Sequence, residues 1–243
     1  MPGSAPTSPT PSLSNRLLDR LPAGERARVA AMVQPFEMDA GDVLHESGER
    51  VREVYFPTSG MISLMERGRD GTMVEVGTAG ADGMVGVSVF LGVRDGSSEA
   101  MAQVPGSVLA MSADDFQSLL REAPVLHRRM QRYTHLALTV IARNAACNRL
   151  HTLVERAARW LLMTRDRVGS TEFPLTQEFF ASMLGSHRPG VTVAAGALKK
   201  AGVLRYRRGH VEIIDPEGLE RLACECYAMV RDAQLASQAE EGS

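Results

Sequence analysis

Residues 174–204 read PLTQEFFASMLGSHRPGVTVAAGALKKAGVL, and this stretch limits the fold more tightly than any other in the chain. Thr176 stands where a hydroxyl can cap the free amides of a following helix, and Gln177 to Leu184 predict two helical turns. Gly185 can take a positive φ between the helices, and Ser186 is placed to cap a second helix running to about Ala201. Pro189 falls in that helix's first turn, where a missing N–H does no harm because those amides have no intrahelical partner. Helix, glycine turn, helix is a helix-turn-helix corner, used both to read DNA and as plain scaffolding. The next residues choose between the two. Val203-Leu204-Arg205-Tyr206 and Val211-Glu212-Ile213-Ile214 are β-rich runs joined by Arg207-Arg208-Gly209-His210, which predicts a two-stranded wing with a basic tip. Guanidinium groups fork onto phosphate oxygens, so corner and wing together predict a winged DNA-binding domain.

Charge supports this placement. The whole chain of 243 residues carries a net charge of −2, which by itself argues against a polyanionic partner. Counted by section, residues 13–124 hold 10 Lys/Arg against 17 Asp/Glu, whereas residues 125–215 hold 15 against 6. The basic excess is confined to the section that carries the corner and wing, where nucleic acid is expected to bind.

The remaining chain divides by texture. Four prolines among the first twelve residues, with Ser, Thr and Gly, predict a disordered leader over 1–12. Two short helices are expected between Leu13 and Met32. From about 36 to 112, turn signals recur at roughly ten-residue spacing between runs rich in Val, Tyr, Phe, Ile and Met, which predicts an antiparallel β-roll. The domain expectation is α+β, with a β-roll sensory domain over 13–123, a long helix over 124–149 and the winged helix-turn-helix over 150–243. Along the long helix Leu126, Met130, Tyr133, Ala137, Val140, Asn144 and Cys147 repeat at spacings of 4 and 3. Such a heptad seam predicts pairing with a second copy, although the same period suits a stripe packed on the protein's own barrel.

In this order, Gly41-Asp42-Val43-Leu44 with Gly48-Glu49, Val54-Tyr55-Phe56 with Ser59-Gly60, and Leu175-Thr176-Gln177-Glu178 with Leu184-Gly185 and Arg188 resemble the Crp/Fnr superfamily of bacterial transcription regulators. The resemblance spans about Leu13 to Cys226. It is strongest to members with Arg-Pro-Gly-Val-Thr-Val at the recognition helix, here 188–193, and Ala-Cys-Glu-Cys-Tyr near the end, here 223–227. It implies a jelly-roll sensory domain, a dimerisation helix, a C-terminal reader of palindromic promoter DNA, and RNA polymerase as a partner. The expected DNA-contacting set is Thr176, Gln177, Ser186, His187, Arg188, Gly190, Thr192, Arg205, Arg207, Arg208 and His210. Arg188 leads it because arginine pairs bidentately with guanine O6 and N7.

The chain also departs from the family. Cyclic-nucleotide-binding relatives use a Gly-Glu pair and, about ten residues later, an Arg that takes the phosphate. The matching stretch is Gly83-Met84-Val85-Gly86, followed by Gly96-Ser97-Ser98 with Arg94 out of register. Loss of a fork-shaped pairing to a buried phosphate costs several kcal/mol, so the pocket residues Gly83, Met84, Val85, Gly86, Arg94, Ser97 and Ser98 are expected to bind cyclic AMP poorly. A cyclic-nucleotide-responsive regulator with a non-standard pocket is the alternative.

The iron–sulfur cluster of the oxygen-sensing members needs four cysteines, and this chain has three, none before Cys147. Cys224-Glu225-Cys226 falls short of the four ligands of a structural zinc site, so packed, reduced thiols and no metal or cofactor are expected. His45, His127, His135 and His151 could ligate haem but are scattered. The sequence carries no Walker loop, nucleophile elbow, zinc-protease pattern or dinucleotide fingerprint, so no catalytic residues are expected. With no secretory signal and no long apolar run, the chain reads as cytoplasmic, without a membrane segment.

Overall fold

The computed structural model describes residues 13–207 and 209–239. The expected leader and Arg208 therefore lie outside the described residues. Helix α1 (Ala23–Met32) leads into strands β1 (Gln34–Met38), β2 (Val43–His45), β3 (Glu53–Pro57), β4 (Met61–Arg67) and β5 (Met73–Ala79). A one-turn helix α2 (Val87–Phe90) precedes β6 (Glu99–Val104) and β7 (Gly106–Ser112). The strands form two antiparallel sheets ordered β1-β7-β3 and β2-β6-β4-β5, the expected β-roll. Buried Met38, Tyr55, Ile62, Ala100, Ala102 and Val108 form a core shared by the two sheets. The tight turn between β3 and β4 requires glycine at position 60, where φ is +73° and a Cβ would stand 2.6 Å from the carbonyl oxygens of Val104 and Pro105.

Helix α3 (Ala113–Glu122) begins at Ser112, whose hydroxyl accepts from the Asp115 amide. The long helix α4 (Pro124–Leu150) follows. Its stripe of Leu126, Met130 and Tyr133 packs with Phe56, Met111, Phe116 and Leu119 on the chain's own roll.

A capping box between Thr152 and Glu155 starts α5 (Leu153–Val168). Then come β8 (Glu172–Pro174), α6 (Gln177–Met183), α7 (Arg188–Lys200), β9 (Leu204–Arg207), β10 (His210–Ile213), α8 (Pro216–Leu222) and α9 (Cys226–Ala239). The wing has three strands, β8-β10-β9, not two. The extra strand is only Glu172–Pro174, too short to carry a readable alternation. Trp160, Leu161, Phe180, Leu184, Val191, Leu198, Leu204 and Val211 form the core of this half, which reaches across to Met65 of β4. The reading head is thus packed on its own β-roll. Among the described residues, no helix is long and apolar enough to cross a membrane.

Candidate nucleic-acid interface

The corner between α6 and α7 is held by local chemistry. The Phe179 amide donates to Thr176 Oγ1 at 3.1 Å, so Thr176 caps α6 as its sequence position predicts. Gly185 turns the chain at φ +53°, and the Arg156 guanidinium donates to the Leu184 carbonyl. The second cap differs from expectation: α7 starts after His187, which has extended backbone, and Ser186 instead closes the turn by donating its amide to Ala181 O at 3.0 Å.

Helix α7 buries Val191, Ala194, Ala195 and Leu198 and turns His187, Arg188, Pro189, Thr192, Val193 and Gly196 to the surface. The Thr192 hydroxyl lies 2.8 Å from Gln177 Oε1, tying the two helices together, and 2.9 Å from Arg188 O. Val193, absent from the expected set, is 72% exposed, one helical turn beyond Pro189. An isopropyl group there can meet a thymine methyl, a contact the groove offers only at A·T pairs. Gly190, of the expected set, is half-buried in the first turn of α7. A Cβ on it would approach Leu153 Cδ2 to 3.1 Å, so it serves the close packing of α7 on α5.

The wing lies beside α7. The Tyr206 hydroxyl donates to the Leu175 carbonyl and fixes the ribbon to the start of the corner. Arg207 and His210 are paired across the ribbon and both are exposed. Arg205 is spent differently, donating to Glu212 Oε2 at 2.7 Å, which offsets its charge within the strand pair.

The residues of the expected α4 seam are engaged within the chain. Leu126 and Met130 are fully buried in the roll, the Tyr133 hydroxyl donates to Met84 O at 3.0 Å, and Asn144 Nδ2 donates to Val76 O at 3.2 Å. Burial pushes the Tyr133 phenol up to about 12. Val140 is also buried and Ala137 half-buried. These residues share the right period, but packing on the roll occupies that face. The face left open carries Gln131, His135, Leu138, Ala142, Ala145 and Arg149, at spacings of 4, 3, 4, 3 and 4, with Ile141 beside them. Leu138 is 61% and Ile141 42% exposed.

Between the roll and α4 lies a cavity of about 280 Å³, lined among others by His45, Leu64, Val76, Thr78, Leu138 and Ile141. Of the expected pocket residues, Met84, Gly86, Ser97 and Ser98 line it. Gly83 and Val85 do not: a Cβ at Gly83 would strike the Tyr133 ring, and Val85 is buried in the sheet core. Arg94 is held elsewhere, by Asp114 and by Gln117 Oε1 at 3.0 Å. Arg167 is the one cation on the cavity wall among the described residues, and Asp82 stands 4.0 Å from it. His45 Nδ1 is buried without a hydrogen-bond partner, and burial holds that imidazole below its usual range.

The three cysteines pack together in one buried cluster. The turn between α8 and α9 brings Cys224 and Cys226 against the end of α4, beside Cys147 and His151.

A β-roll, a long helix with an open face, and a winged corner that bares an arginine-bearing helix define a DNA-binding transcription regulator. Residues 35–123 match the cyclic nucleotide-binding domain family, and residues 155–222 match the Crp-like helix-turn-helix domain family. The chain is similar to the CRP-like cAMP-activated global transcriptional regulator of Mycobacterium tuberculosis, 26% identical over 206 residues that cover 81% of this chain and 91% of that protein. Its fold resembles FixK2 from Bradyrhizobium japonicum, with a TM-score of 0.66 at 16% identity, covering 79% of this chain and 98% of that one. It also resembles the c-di-GMP responsive regulator CLP of Xanthomonas campestris, with a TM-score of 0.67 at 16% identity, covering 80% and 100%. The chain belongs to the Crp/Fnr family of transcription regulators.

Proposed function

We propose that two copies of this chain pair through the open face of α4 and present their α7 helices to a two-fold symmetric operator. The partners are then double-stranded DNA, a second copy and RNA polymerase, and the site of action is the cytoplasm. The observation that carries this reading is the exposed face of α7, with Arg188, Thr192 and Val193, next to a wing that offers Arg207. Paired heads on a symmetric dimer read half-sites whose centres lie about one helical turn, 10–10.5 base pairs, apart. Selection from a random duplex library should therefore enrich an inverted repeat at that spacing. Recovery of a single unrepeated half-site, or of no site, would count against it.

For the effector, the cavity favours a small, largely apolar molecule with one hydrogen-bonding group set against His45. A cyclic nucleotide brings a phosphate, and the wall offers Arg167, already beside Asp82, and no arginine fork. Calorimetry against a nucleotide panel tests this. Saturable cyclic AMP binding at micromolar concentration would restore the reading as a cyclic-nucleotide-responsive regulator.

A further inference from the structure

Four metal-ligating side chains meet where the long helix ends. Cys147 lies on the last turn of α4, and His151 caps that helix, its backbone N–H donating to Cys147 O at 3.2 Å. Cys224 and Cys226 arrive from the turn between α8 and α9, 77 residues farther along the chain in the case of Cys224. One ligand atom from each lies within 4.8 Å of every other, and Cys147 Sγ is 3.5 Å from Cys224 Sγ. The cysteines are 1%, 5% and 1% exposed, so the cluster is closed to bulk water on the sulfur side.

The dimensions fit one ion. Sulfurs held about 2.3 Å from a tetrahedral zinc stand about 3.8 Å apart, and a sulfur and an imidazole nitrogen slightly less. The spread from 3.5 to 4.8 Å brackets that separation, so small side-chain rotations suffice. A disulfide needs sulfurs at about 2.05 Å and would leave the third cysteine and the histidine unexplained.

The surroundings also suit a negatively charged cluster. Arg159 is buried, its Nε has no hydrogen-bond partner, and its charge bears on the Cys147 sulfur. A buried guanidinium with an empty donor is costly unless anionic charge lies beside it. Three thiolates and a divalent ion leave one negative charge, which Arg159 balances. His151 Nε2 is likewise buried without a hydrogen bond, 3.3 Å from Glu225 Oε1, a carboxylate placed to orient the ring.

We propose that Cys147, His151, Cys224 and Cys226 form a Cys3His site for Zn2+. Binding expels three thiol protons to solvent, changes no oxidation state, and fastens the end of α4 to the α8–α9 turn. The ion therefore braces the joint between the long helix and the reading head, because α5 begins only two residues beyond His151. The expectation of unligated thiols rested on counting two cysteines in one motif, and folding supplies the other two ligands from a distant helix.

The full-length protein, purified anaerobically under reducing conditions, should retain close to one zinc per chain by elemental analysis. After chelator treatment, added Co2+ should give the intense thiolate-to-cobalt charge-transfer absorption of a tetrahedral site. His151→Ala and Cys226→Ser should each weaken Zn2+ binding more than about 100-fold in competition with a chromophoric chelator, since even outer partners of such sites contribute about 10–100-fold. Circular dichroism checks that the variants fold. The proposal is overturned if the reduced wild-type protein takes up neither ion, if Cys147 and Cys224 are found as a disulfide and the reduced form still refuses Zn2+, or if His151→Ala binds Zn2+ as tightly as wild type.

Discussion

Glu75 shows how one buried carboxyl can govern the stability of this chain. It sits on β5 beneath α5, accepting from Trp160 Nε1 at 3.0 Å, with the Ser63 hydroxyl 2.8 Å from its other oxygen. Ser63 also lies 2.6 Å from Gln103 Oε1, and its single proton cannot serve both acceptors. A proton on Glu75 completes the chain, with Glu75 donating to Ser63 and Ser63 to Gln103. Burial pushes this carboxyl up to about 7, against the donors and the nearby Arg167 and Arg159, which favour the ionised form. The folded protein keeps the proton to about pH 7, whereas the unfolded chain releases it near 4.5. Unfolding between those values releases a proton, so stability should fall by up to about 3 kcal/mol as pH rises from 4.5 to 7 and should be flat in this respect outside that window. Urea titrations followed by Trp160 fluorescence should show this slope, and Glu75→Gln should remove it. At the DNA face, Arg188→Ala should cost about 1–3 kcal/mol of discrimination between operator and random duplex. Equal losses on both DNAs would make Arg188 a phosphate contact instead.

At the scale of elements, α4 has two faces with one period, and only packing distinguishes them. Leu138→Glu with Ile141→Glu should yield monomers in sedimentation velocity, because the paired charges would be buried without partners at the proposed seam. Tyr133→Phe, on the opposite face, should leave the dimer intact and lower stability by about 1 kcal/mol through loss of the bond to Met84 O. That contrast also marks what the sequence could reveal. The corner and wing were legible because capping, glycine and hairpin signals are local: Thr176 caps α6 and Gly185 turns the chain whatever surrounds them. The choice between the Tyr133 stripe and the Leu138 stripe depends on which one meets Phe56 and Phe116, residues brought there by strands and a helix elsewhere in the chain. The cavity was half legible for the same reason. Met84, Gly86, Ser97 and Ser98 follow from family register, while His45, Leu138 and Ile141 join them only through the closing of the roll on α4. The convergence of Cys147 with Cys224 carries no local signal at all.

For the whole molecule, the number of phosphates gripped at once is the quantity that joins wing, corner and dimer. Each head is anchored through Trp160, Met183 and Met65 to its own roll, so in a dimer the two wings act as parts of one body. The slope of log affinity against log salt is about −0.9 for each phosphate contact on B-DNA. Removal of one contact from each of two heads should thus make the slope shallower by about 1.8, and from a single head by about 0.9. Arg207→Ala in the intact protein should give the larger change. The same substitution in the Leu138→Glu, Ile141→Glu background should give the smaller one. Arg205→Ala should leave the slope nearly unchanged, because Glu212 already holds that guanidinium at 2.7 Å. An unaltered slope for Arg207→Ala would mean that the wing stands clear of the duplex. A change near 0.9 in the wild-type background would mean that one head at a time engages DNA, and the symmetric arrangement would then be wrong even if α7 reads bases as described.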